Sequence, residues 1–243
     1  MFLAIDGDIL LYKAALSAEE EICWDGDIWT LFMDMAKAKE AFEVQMESIK
    51  NKLQVETSVV CLSDRHGNFR KLVDPSYKSN RRGTRKPVGY VALCDWVAET
   101  YTTMSKPLCE ADDIMGILAT MDANVGKCII VSDDKDMKSI SGKLYRPTMD
   151  EQLDITEQEA ERHFFTQVLT GDTADGYKGV PGIGPKKAEA ILGPRPHWRA
   201  VEKAFIDAGM TADDALTQAR LARILRWQDW DKEKGEPILW KPN

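Results

Sequence analysis

Nine carboxylate side chains in this sequence fall into three short clusters and two single positions. They are Asp6, Asp64, Glu110, Asp112, Asp113, Asp134, Asp136, Asp172 and Asp175. No zinc-type histidine or cysteine motif accompanies them, so the donors are all oxygens, which is typical of Mg²⁺ or Mn²⁺ sites. Nine acids exceed the needs of one ion. We therefore predict two metal ions roughly 3.5 to 4 Å apart, an arrangement that clamps the attacking and leaving oxygens of a phosphodiester.

Each acid taken alone has a structural explanation, because short carboxylates often cap helices or complement the helix dipole. Their positions favour chemistry. Asp6, Asp64 and Asp134 each follow an apolar segment that is typical of a buried strand. In a parallel sheet, functional groups gather at the carboxyl ends of the strands. Three acids between residues 110 and 113 also repel each other, and a bound cation would relieve that repulsion.

Positive charge is concentrated in residues 65–90, although the whole chain has a net charge of −8. This segment has one acid, Asp74, and eight basic residues: Arg65, Arg70, Lys71, Lys78, Arg81, Arg82, Arg85 and Lys86. Phe69, Tyr77 and Tyr90 lie among them. A solvated basic loop is one interpretation. The mixture with aromatic residues is also typical of a surface that contacts a nucleic-acid backbone and stacks on bases.

A glycine-rich stretch follows the last acid cluster. Gly182 and Gly184 allow close approach of a DNA backbone, and Pro185 suits the first position of a helix whose start carries Lys186 and Lys187. The spacing predicts a helix-hairpin-helix motif, a clamp on the DNA backbone that is independent of sequence. The alternative is a tight turn between packed helices.

Strand and helix patterns alternate along the first 150 residues. Apolar runs at 2–5, 58–62 and 128–131 predict parallel strands, and helical spacing appears at 29–53 and 110–123. This order predicts an α/β fold with a central, mainly parallel sheet flanked by helices. We expect the polar, Pro- and Gly-interrupted segment 74–106 to project from the sheet. We also expect a helical portion after about residue 150, with no further strand from residue 155 onward.

Several protein classes are excluded or disfavoured. The longest uncharged run is nine residues, at 163–171, far below the roughly 18 apolar residues of a membrane span. The first residues show no signal-peptide pattern, and five scattered cysteines suit a reducing compartment. We therefore expect a soluble, cytoplasmic protein that acts as a monomer.

These residues together resemble the flap endonuclease and 5′→3′ exonuclease family, which is related to the PIN-like nucleases. The resemblance is greatest to short bacteriophage exonucleases and the 5′-nuclease domain of bacterial DNA polymerase I, and it spans residues 6–192. The motifs are Asp6; Asp64 with Phe69-Arg70 and Tyr77-Lys78-x-x-Arg81; Glu110-Ala111-Asp112-Asp113; Ser132-Asp133-Asp134-Lys135-Asp136; Gly171-Asp172-x-x-Asp175; and Gly182-Ile183-Gly184.

The resemblance implies a PIN-like nuclease body at residues 1–150 with a helical arch at about 74–106, and a helix-hairpin-helix at about 172–192. It implies two Mg²⁺ ions, replaceable by Mn²⁺, and K⁺ at the helix-hairpin-helix. The first metal would be held by Asp6, Asp64, Glu110 and Asp112, and the second by Asp134, Asp136, Asp172 and Asp175, with Asp113 near both. Catalytic roles fall to Lys78, Arg81, Asp112 and Asp134, and DNA contacts to Arg70, Tyr77, Lys78, Arg81, Arg82, Arg85, Gly182, Gly184, Lys186 and Lys187.

The implied activity is removal of nucleotides or flaps from DNA 5′ ends, RNA primers included, during phage replication or recombination in a bacterial host. Two alternatives remain: a PIN-like single-stranded RNA nuclease, and a DNA-binding module without catalysis. The acidic segment 17–28, with Trp24, and the tail after residue 193 fit no motif of the family.

Overall fold

The protein is described here from a computed structural model that covers residues 1–81 and 83–242. The strands are β1 (Phe2–Asp6), β2 (Glu19–Asp25), β3 (Ile28–Met33), β4 (Ser58–Cys61), β5 (Thr103–Met104), β6 (Cys128–Val131), β7 (Gly142–Arg146), β8 (Glu151–Ile155), β9 (Trp230–Asp231) and β10 (Glu236–Pro237). The helices are α1 (Gly7–Ser17), α2 (Met35–Leu53), α3 (Phe69–Val73), α4 (Tyr90–Thr100), α5 (Ala111–Thr120), α6 (Glu157–Thr170), α7 (Pro185–Leu192), α8 (Trp198–Asp207) and α9 (Ala212–Ala222).

Six strands form the central sheet in the order β5-β4-β1-β6-β7-β8, and all pairs are parallel except β7 with β8. The middle strand β1 pairs with β4 and β6, so that Ala4 lies opposite both Val59 and Ile130. These three are the strands predicted from apolar runs, and the predicted parallel α/β sheet is confirmed. Because they are neighbours and run in one direction, the residues that follow them meet at one edge of the sheet.

Helices cover both faces of the sheet. Leu3 and Ile5 belong to one core cluster, which Phe42 of α2 and Val97 of α4 complete, while Ala4 belongs to a second cluster around α5. This alternation is the period of two that a strand buried on both faces requires. Helices α6 to α9 enclose a third cluster. No helix within the described ranges is long and apolar enough to cross a bilayer.

The predicted boundary at residue 150 and the strand-free tail both need correction. The edge strand β8 begins at Glu151 and belongs to the body, where it pairs antiparallel with β7. Beyond α9 the chain returns to the body and buries Ile224, Leu225 and Trp230 in the second cluster. Short strands β9 and β10 pair in this return segment. The C-terminal residues therefore contribute to the nuclease body as well as to the helical part.

An antiparallel hairpin, β2–β3, accounts for the acidic segment that fits no family motif. The predicted helix at 29–53 is wrong for its first turn. Residues 29–32 are Trp, Thr, Leu and Phe, side chains that favour strands, and they pair with β2. Helix α2 starts only after Asp34, whose carboxylate caps it by accepting from the N–H groups of Ala36 and Lys37.

The segment predicted to project as an arch is shorter than expected. Residues 90–104 form α4 and β5 within the body, because Leu93, Cys94 and Val97 of α4 are buried in the first core cluster. The projecting part is 74–89, described except for residue 82, and its only helical element in the described positions is the 3₁₀ turn Ser79–Arg81. We call residues 74–89 the basic loop. The described part of this loop contains no α-helix, contrary to the predicted helical arch.

Candidate active site

Asp6 and Asp134 lie at the edge where β1 and β6 end. The carboxylate of Asp6 caps α1, since Oδ1 accepts from Ile9 N at 3.1 Å, and Oδ2 accepts from Ser132 Oγ at 2.7 Å. Asp134 accepts from Asp136 N at 2.8 Å and caps the 3₁₀ turn Lys135–Ser139. Both acids therefore cap a helix, which is the structural explanation that each of them has when it is taken alone. Capping also fixes their orientation at the sheet edge.

Electrostatic repulsion connects Asp6, Asp112 and Asp134. Burial raises the pKa of Asp6 to about 7, and the charges of Asp8 and Asp134 add to the increase. Burial also raises the pKa of Asp112 well above its ordinary value, with repulsion from Asp6, Asp134 and Glu110. Acids from β1, from the start of α5 and from the end of β6 therefore interact electrostatically at this edge of the sheet. Such a group is costly to ionise without a cation.

Asp136 forms the link to the remaining acids. Burial raises its pKa to about 7, and repulsion from Asp134, Asp172 and Asp175 adds to this. Its buried Oδ1 has no hydrogen-bond partner in the described part of the chain. Buried carboxylate oxygens are rarely left unpaired, so this atom is a specific indication of a missing ligand.

Basic side chains already pair with several of the predicted metal ligands. Glu110 accepts from Lys78 Nζ at 2.6 Å and from Arg70 Nη1 at 3.1 Å. Although burial opposes its charge, these two cations hold the pKa of Glu110 at about 2. Asp175 pairs with Arg81 at 2.8 Å and lies 3.6 Å from Lys78 Nζ. Lys78 and Arg81, predicted to be catalytic, therefore face the acid cluster.

The backbone of Lys78 is in the left-handed region, with φ +53°. A hydrogen bond from Lys78 N to the carbonyl of Asp175, 2.8 Å long, holds it there. Such conformations cost about 1 to 3 kcal/mol for a residue with a Cβ and cluster at functional sites. The strain fixes the direction in which the ammonium group approaches the acids.

Tyr77, predicted to stack on a DNA base, is only 3% exposed. Its hydroxyl lies 3.0 Å from a carboxylate oxygen of Glu110 and 3.0 Å from one of Asp175, and its ring belongs to the third core cluster. The prediction of a stacking role is wrong for this structure. Tyr77 instead links the two acid groups across the site.

Arg70 and Asp113 are also buried, against the prediction of a DNA contact and a metal ligand. Arg70 is 3% exposed and Asp113 is fully buried. The two Asp113 oxygens accept four hydrogen bonds, two from Arg70 at 2.8 Å and one each from the N–H groups of Glu110 and Leu225. A carboxylate has about four lone-pair sites, so none is left for a metal. Both residues hold the core together beneath the site.

Asp64 and Asp172 are engaged in local structure. Asp64 accepts from the N–H groups of His66 and Leu108, which lower its pKa. Asp172 accepts from Lys135 Nζ at 2.8 Å and from Ala174 N at 2.7 Å; its pKa is lowered because these bonds outweigh burial. Both carboxylates therefore have local partners, but each still has lone-pair capacity for a further ligand.

The acids suit a hard cation by their chemistry but do not yet enclose one. Within residues 1–81 and 83–242, no three His, Cys, Asp or Glu side chains are close enough to hold a metal ion together. Lys78, Arg81 and Lys135 lie where they neutralise these acids. The all-oxygen donor set and the unpaired Asp136 Oδ1 fit a divalent ion, provided that these ammonium and guanidinium groups move aside.

The glycine-rich turn joins α6 to α7. Gly182 has φ +73°, and Gly184 is the N-cap residue of α7, with no side-chain cap. Lys186 is exposed, whereas Lys187 donates from Nζ to the carbonyl of Gly182 at 2.9 Å. Within the predicted range 172–192, α7 is the only α-helix, so the first helix of the predicted motif does not lie in that range. Backbone N–H groups at the α7 N-terminus are available for a phosphate.

The sequence also predicts DNA contacts for Arg82 and Arg85. Arg82 lies outside the described residues. Arg85 makes a bidentate ion pair with Glu19 at the base of the hairpin, at 2.6 and 2.9 Å.

Asp8 is a site residue that the sequence analysis missed. It lies in the first turn of α1, and burial raises its pKa, while the charge of Lys86 lowers it. Its Oδ1 lies 3.4 Å from Ser63 N, beyond the end of β4. The signal was present in the pair Asp6-Gly7-Asp8 directly after a predicted strand, but a first-turn acid is also an ordinary helix feature.

Comparisons with known proteins identify the family of the chain. The family described as 5′-3′ exonuclease, N-terminal resolvase-like domain, matches residues 1–165. The chain is 32% identical to the exonuclease of Escherichia phage T7, over 99% of this chain and 93% of that protein. It is 30% identical to the exodeoxyribonuclease of Enterobacteria phage T3, over 99% and 92%. It is 32% identical to the flap endonuclease Xni of Shewanella baltica, over 56% and 57%.

Solved structures share the fold. The bacteriophage T5 flap endonuclease, in a pseudo-enzyme-product complex with DNA and metal ions, superposes with a TM-score of 0.67 at 16% identity. The alignment covers 91% of this chain and 88% of that one. The T5 5′-exonuclease with bound zinc gives a TM-score of 0.61 at 15% identity, covering 91% and 93%.

Proposed function

The chain belongs to the 5′-3′ exonuclease family and is a structure-specific 5′ nuclease; we propose that it hydrolyses DNA at 5′ ends or flaps with two Mg²⁺ ions. One observation carries the proposal: burial raises the pKa values of Asp6 and Asp112, and the charge of Asp134 adds to both increases, at a site where Lys78 pairs with Glu110. Acids that are costly to ionise alone become favourable ligands when a divalent cation neutralises them.

The proposed ligands fall into two groups. Asp6, Glu110 and Asp112 lie on one side, and Asp136, Asp172 and Asp175 on the other, with Asp134 acting electrostatically on both Asp6 and Asp136. Asp64 keeps free lone-pair sites beside its two backbone hydrogen bonds and would join the first group, whereas Asp113 is left out. When bound, divalent ions supply Lewis acidity and neutralise charge at the phosphate; Mn²⁺ would substitute.

Lys78 and Arg81 supply charge from the protein. In the absence of DNA they pair with Glu110 and Asp175. A phosphate that enters the site would compete for both cations, and divalent ions held by the carboxylates would release them. The left-handed backbone of Lys78 sets where its side chain leaves the main chain, which keeps the ammonium group near the acids, and a cation there stabilises negative charge that develops in the transition state.

Duplex DNA would be held by the turn at Gly182–Gly184 and by Lys186 and Lys187, at the N-terminus of α7. Phosphate contacts of this type position the substrate without reading its sequence. The Gly182 carbonyl already accepts from Lys187, so a potassium ion at this turn would have to displace that ammonium group. The phage relatives suggest that the protein acts on DNA in the cytoplasm of a bacterial host.

Cleavage of three 5′-labelled substrates tests the proposal: a flap DNA, a blunt duplex of the same sequence and a single-stranded RNA. We expect Mg²⁺-dependent products from the DNA substrates, abolished by EDTA. Cleavage of the RNA alone would favour a PIN-like RNA nuclease. Binding of the DNA without cleavage at any Mg²⁺ concentration would favour a non-catalytic module.

A further inference from the structure

Glu19, at the base of the β2–β3 hairpin, holds the end of the basic loop. Its side chain is only 8% exposed. The carboxylate accepts two bonds from the guanidinium of Arg85, at 2.6 and 2.9 Å, and a third from Val88 N at 2.6 Å. Arg85 also donates to the carbonyl of Lys86. A bidentate ion pair that also binds a backbone N–H fixes geometry far better than an ordinary surface pair.

A second contact joins the same two elements. Gly89 has φ +69°, and a Cβ at this position would collide with the side chain of Met33 at the end of β3. Met33 lies opposite Glu19 in the hairpin register. The last residues of the loop thus contact both strands of the hairpin. The contact with Glu19 of β2 is a charged hydrogen bond, and the contact with Met33 of β3 is close packing.

The contacts of Glu19 and Met33 with the loop determine where the residues that follow Arg85 lie. The ammonium group of Lys86 is 4.8 Å from the ring centre of Tyr90, at the start of α4. Arg85, by contrast, pairs with Glu19 of the hairpin. Neighbouring basic residues in the loop therefore have separate tasks.

We propose that Glu19 is a positioning residue for catalysis, which through Arg85 and Val88 holds the basic loop in place so that its Lys78 and Arg81, which pair with Glu110 and Asp175, face the substrate phosphates. The inference rests on the proposed function, because the phosphates are those of the DNA substrate. It also assigns the β2–β3 hairpin as the support of the loop. Arg85 then serves the geometry of the loop, in place of the direct DNA contact predicted from sequence.

Amide hydrogen exchange without DNA gives the first measurement. Glu19→Ala removes the acceptor of Val88 N, so protection of that amide is expected to fall about tenfold or more. Glu19→Gln keeps an acceptor of the same size and restores part of the protection. Glu20→Ala is the matched control, since Glu20 neighbours Glu19 on β2 but pairs with Lys37 of α2 and not with the loop. Unchanged protection of Val88 in Glu19→Ala overturns the inference.

Single-turnover cleavage at a saturating concentration of flap DNA gives the second measurement. We expect Glu19→Ala to lower the rate on the order of tenfold, because small misplacements of catalytic groups are costly, and Glu20→Ala to stay within about twofold. Adding Arg85→Ala to Glu19→Ala should change little further, since both act through one contact. Tighter DNA binding by Glu19→Ala with an unchanged rate would instead show that Arg85 contacts DNA directly, and would overturn the inference. If the wild-type protein did not cleave flap DNA, the proposed function would be overturned. The exchange measurement needs no cleavage and tests only the contact between Glu19 and the basic loop.

Discussion

The guanidinium of Arg70 and the carboxylate of Asp113 form a fully buried, bidentate ion pair with both N–O distances at 2.8 Å. Arg70 additionally donates to the carbonyls of Leu221 and Arg223, at the end of α9. Two residues that look like a DNA contact and a metal ligand in the sequence thus connect α3, α5 and the C-terminal segment. The pair keeps the floor of the acid cluster in place.

Removal of Asp113 should destabilise the fold severely. Asp113→Ala removes the bidentate partner of the buried Arg70 guanidinium and leaves it the longer contact with Glu110; breaking a buried pair typically costs about 3 to 5 kcal/mol. Urea denaturation measures the change in the free energy of unfolding. Asp207→Ala is the control, because Asp207 forms an exposed pair with Lys203 and its loss should cost less than about 1 kcal/mol. A stable Asp113→Ala protein that had lost only metal binding would restore its role as a ligand.

Neutral replacements in the acid cluster should separate binding from chemistry. Asp112→Asn and Asp134→Asn each preserve side-chain shape but remove a charge that a divalent ion needs. We expect cleavage of flap DNA to fall by at least about 100-fold, while DNA binding is kept or tightened as repulsion of phosphate decreases. Asp133→Asn is the control, since Asp133 pairs with Lys13 and lies outside the proposed ligand set. Full Mg²⁺-dependent activity in both cluster variants would contradict the two-metal proposal.

Stability of the metal-free protein should decrease as the pH rises from 5 to 8. The pKa values of Asp6 and Asp136 are raised to about 7 in the folded state, whereas unfolded aspartates titrate near 3.9. Between these values the folded state binds more protons, so increasing pH favours unfolding. With EDTA we expect the melting temperature to fall by about 5 °C or more across this range.

Mg²⁺ should reverse that decrease mainly at the higher pH, because the ion binds the ionised carboxylates. Thermal melts at pH 5 and pH 8, with EDTA or Mg²⁺, measure both effects. Asp136→Asn removes one of the titrating groups and should flatten the dependence. A melting temperature that rises with pH in EDTA would mean that the pKa values of Asp6 and Asp136 are not raised in the folded state.

The lysines at the start of α7 should contribute to affinity for DNA in a salt-dependent way. Each phosphate contact that is lost lowers the slope of log K against log salt concentration by about one. Lys186→Ala with Lys187→Ala should therefore flatten the slope by about two, equally for unrelated sequences. Lys203→Ala, on the neighbouring helix α8, provides a comparison. An unchanged slope in the double variant would move the duplex contact away from this turn.

The sequence predicted the sheet and the acid cluster because both depend on local patterns. Apolar runs at β1, β4 and β6 mark strands buried on both faces, and an acid after each strand must reach the same edge. Tyr77 and Arg70 were misassigned for the opposite reason. Their burial depends on partners such as Asp113, 43 positions further along the chain, which local pattern does not reveal. The hairpin was missed because Phe32 and Met35 also satisfy a helical period.

Lys78 tests whether the basic loop takes part in the chemical step. Its ammonium group lies 2.6 Å from Glu110, and its left-handed backbone is held by Asp175, so its charge is fixed beside the acids before DNA arrives. We expect Lys78→Ala to lower the single-turnover rate on the order of 100-fold at saturating flap DNA, the scale for loss of one preorganised charge. Lys71→Ala, an exposed change in the same basic segment, should alter the rate little. Glycine would relieve the backbone strain that alanine retains, so Lys78→Gly separates strain from charge. Equal rate losses in the two variants attribute the effect to the missing ammonium group, whereas weaker binding at an unchanged rate would limit Lys78 to holding DNA.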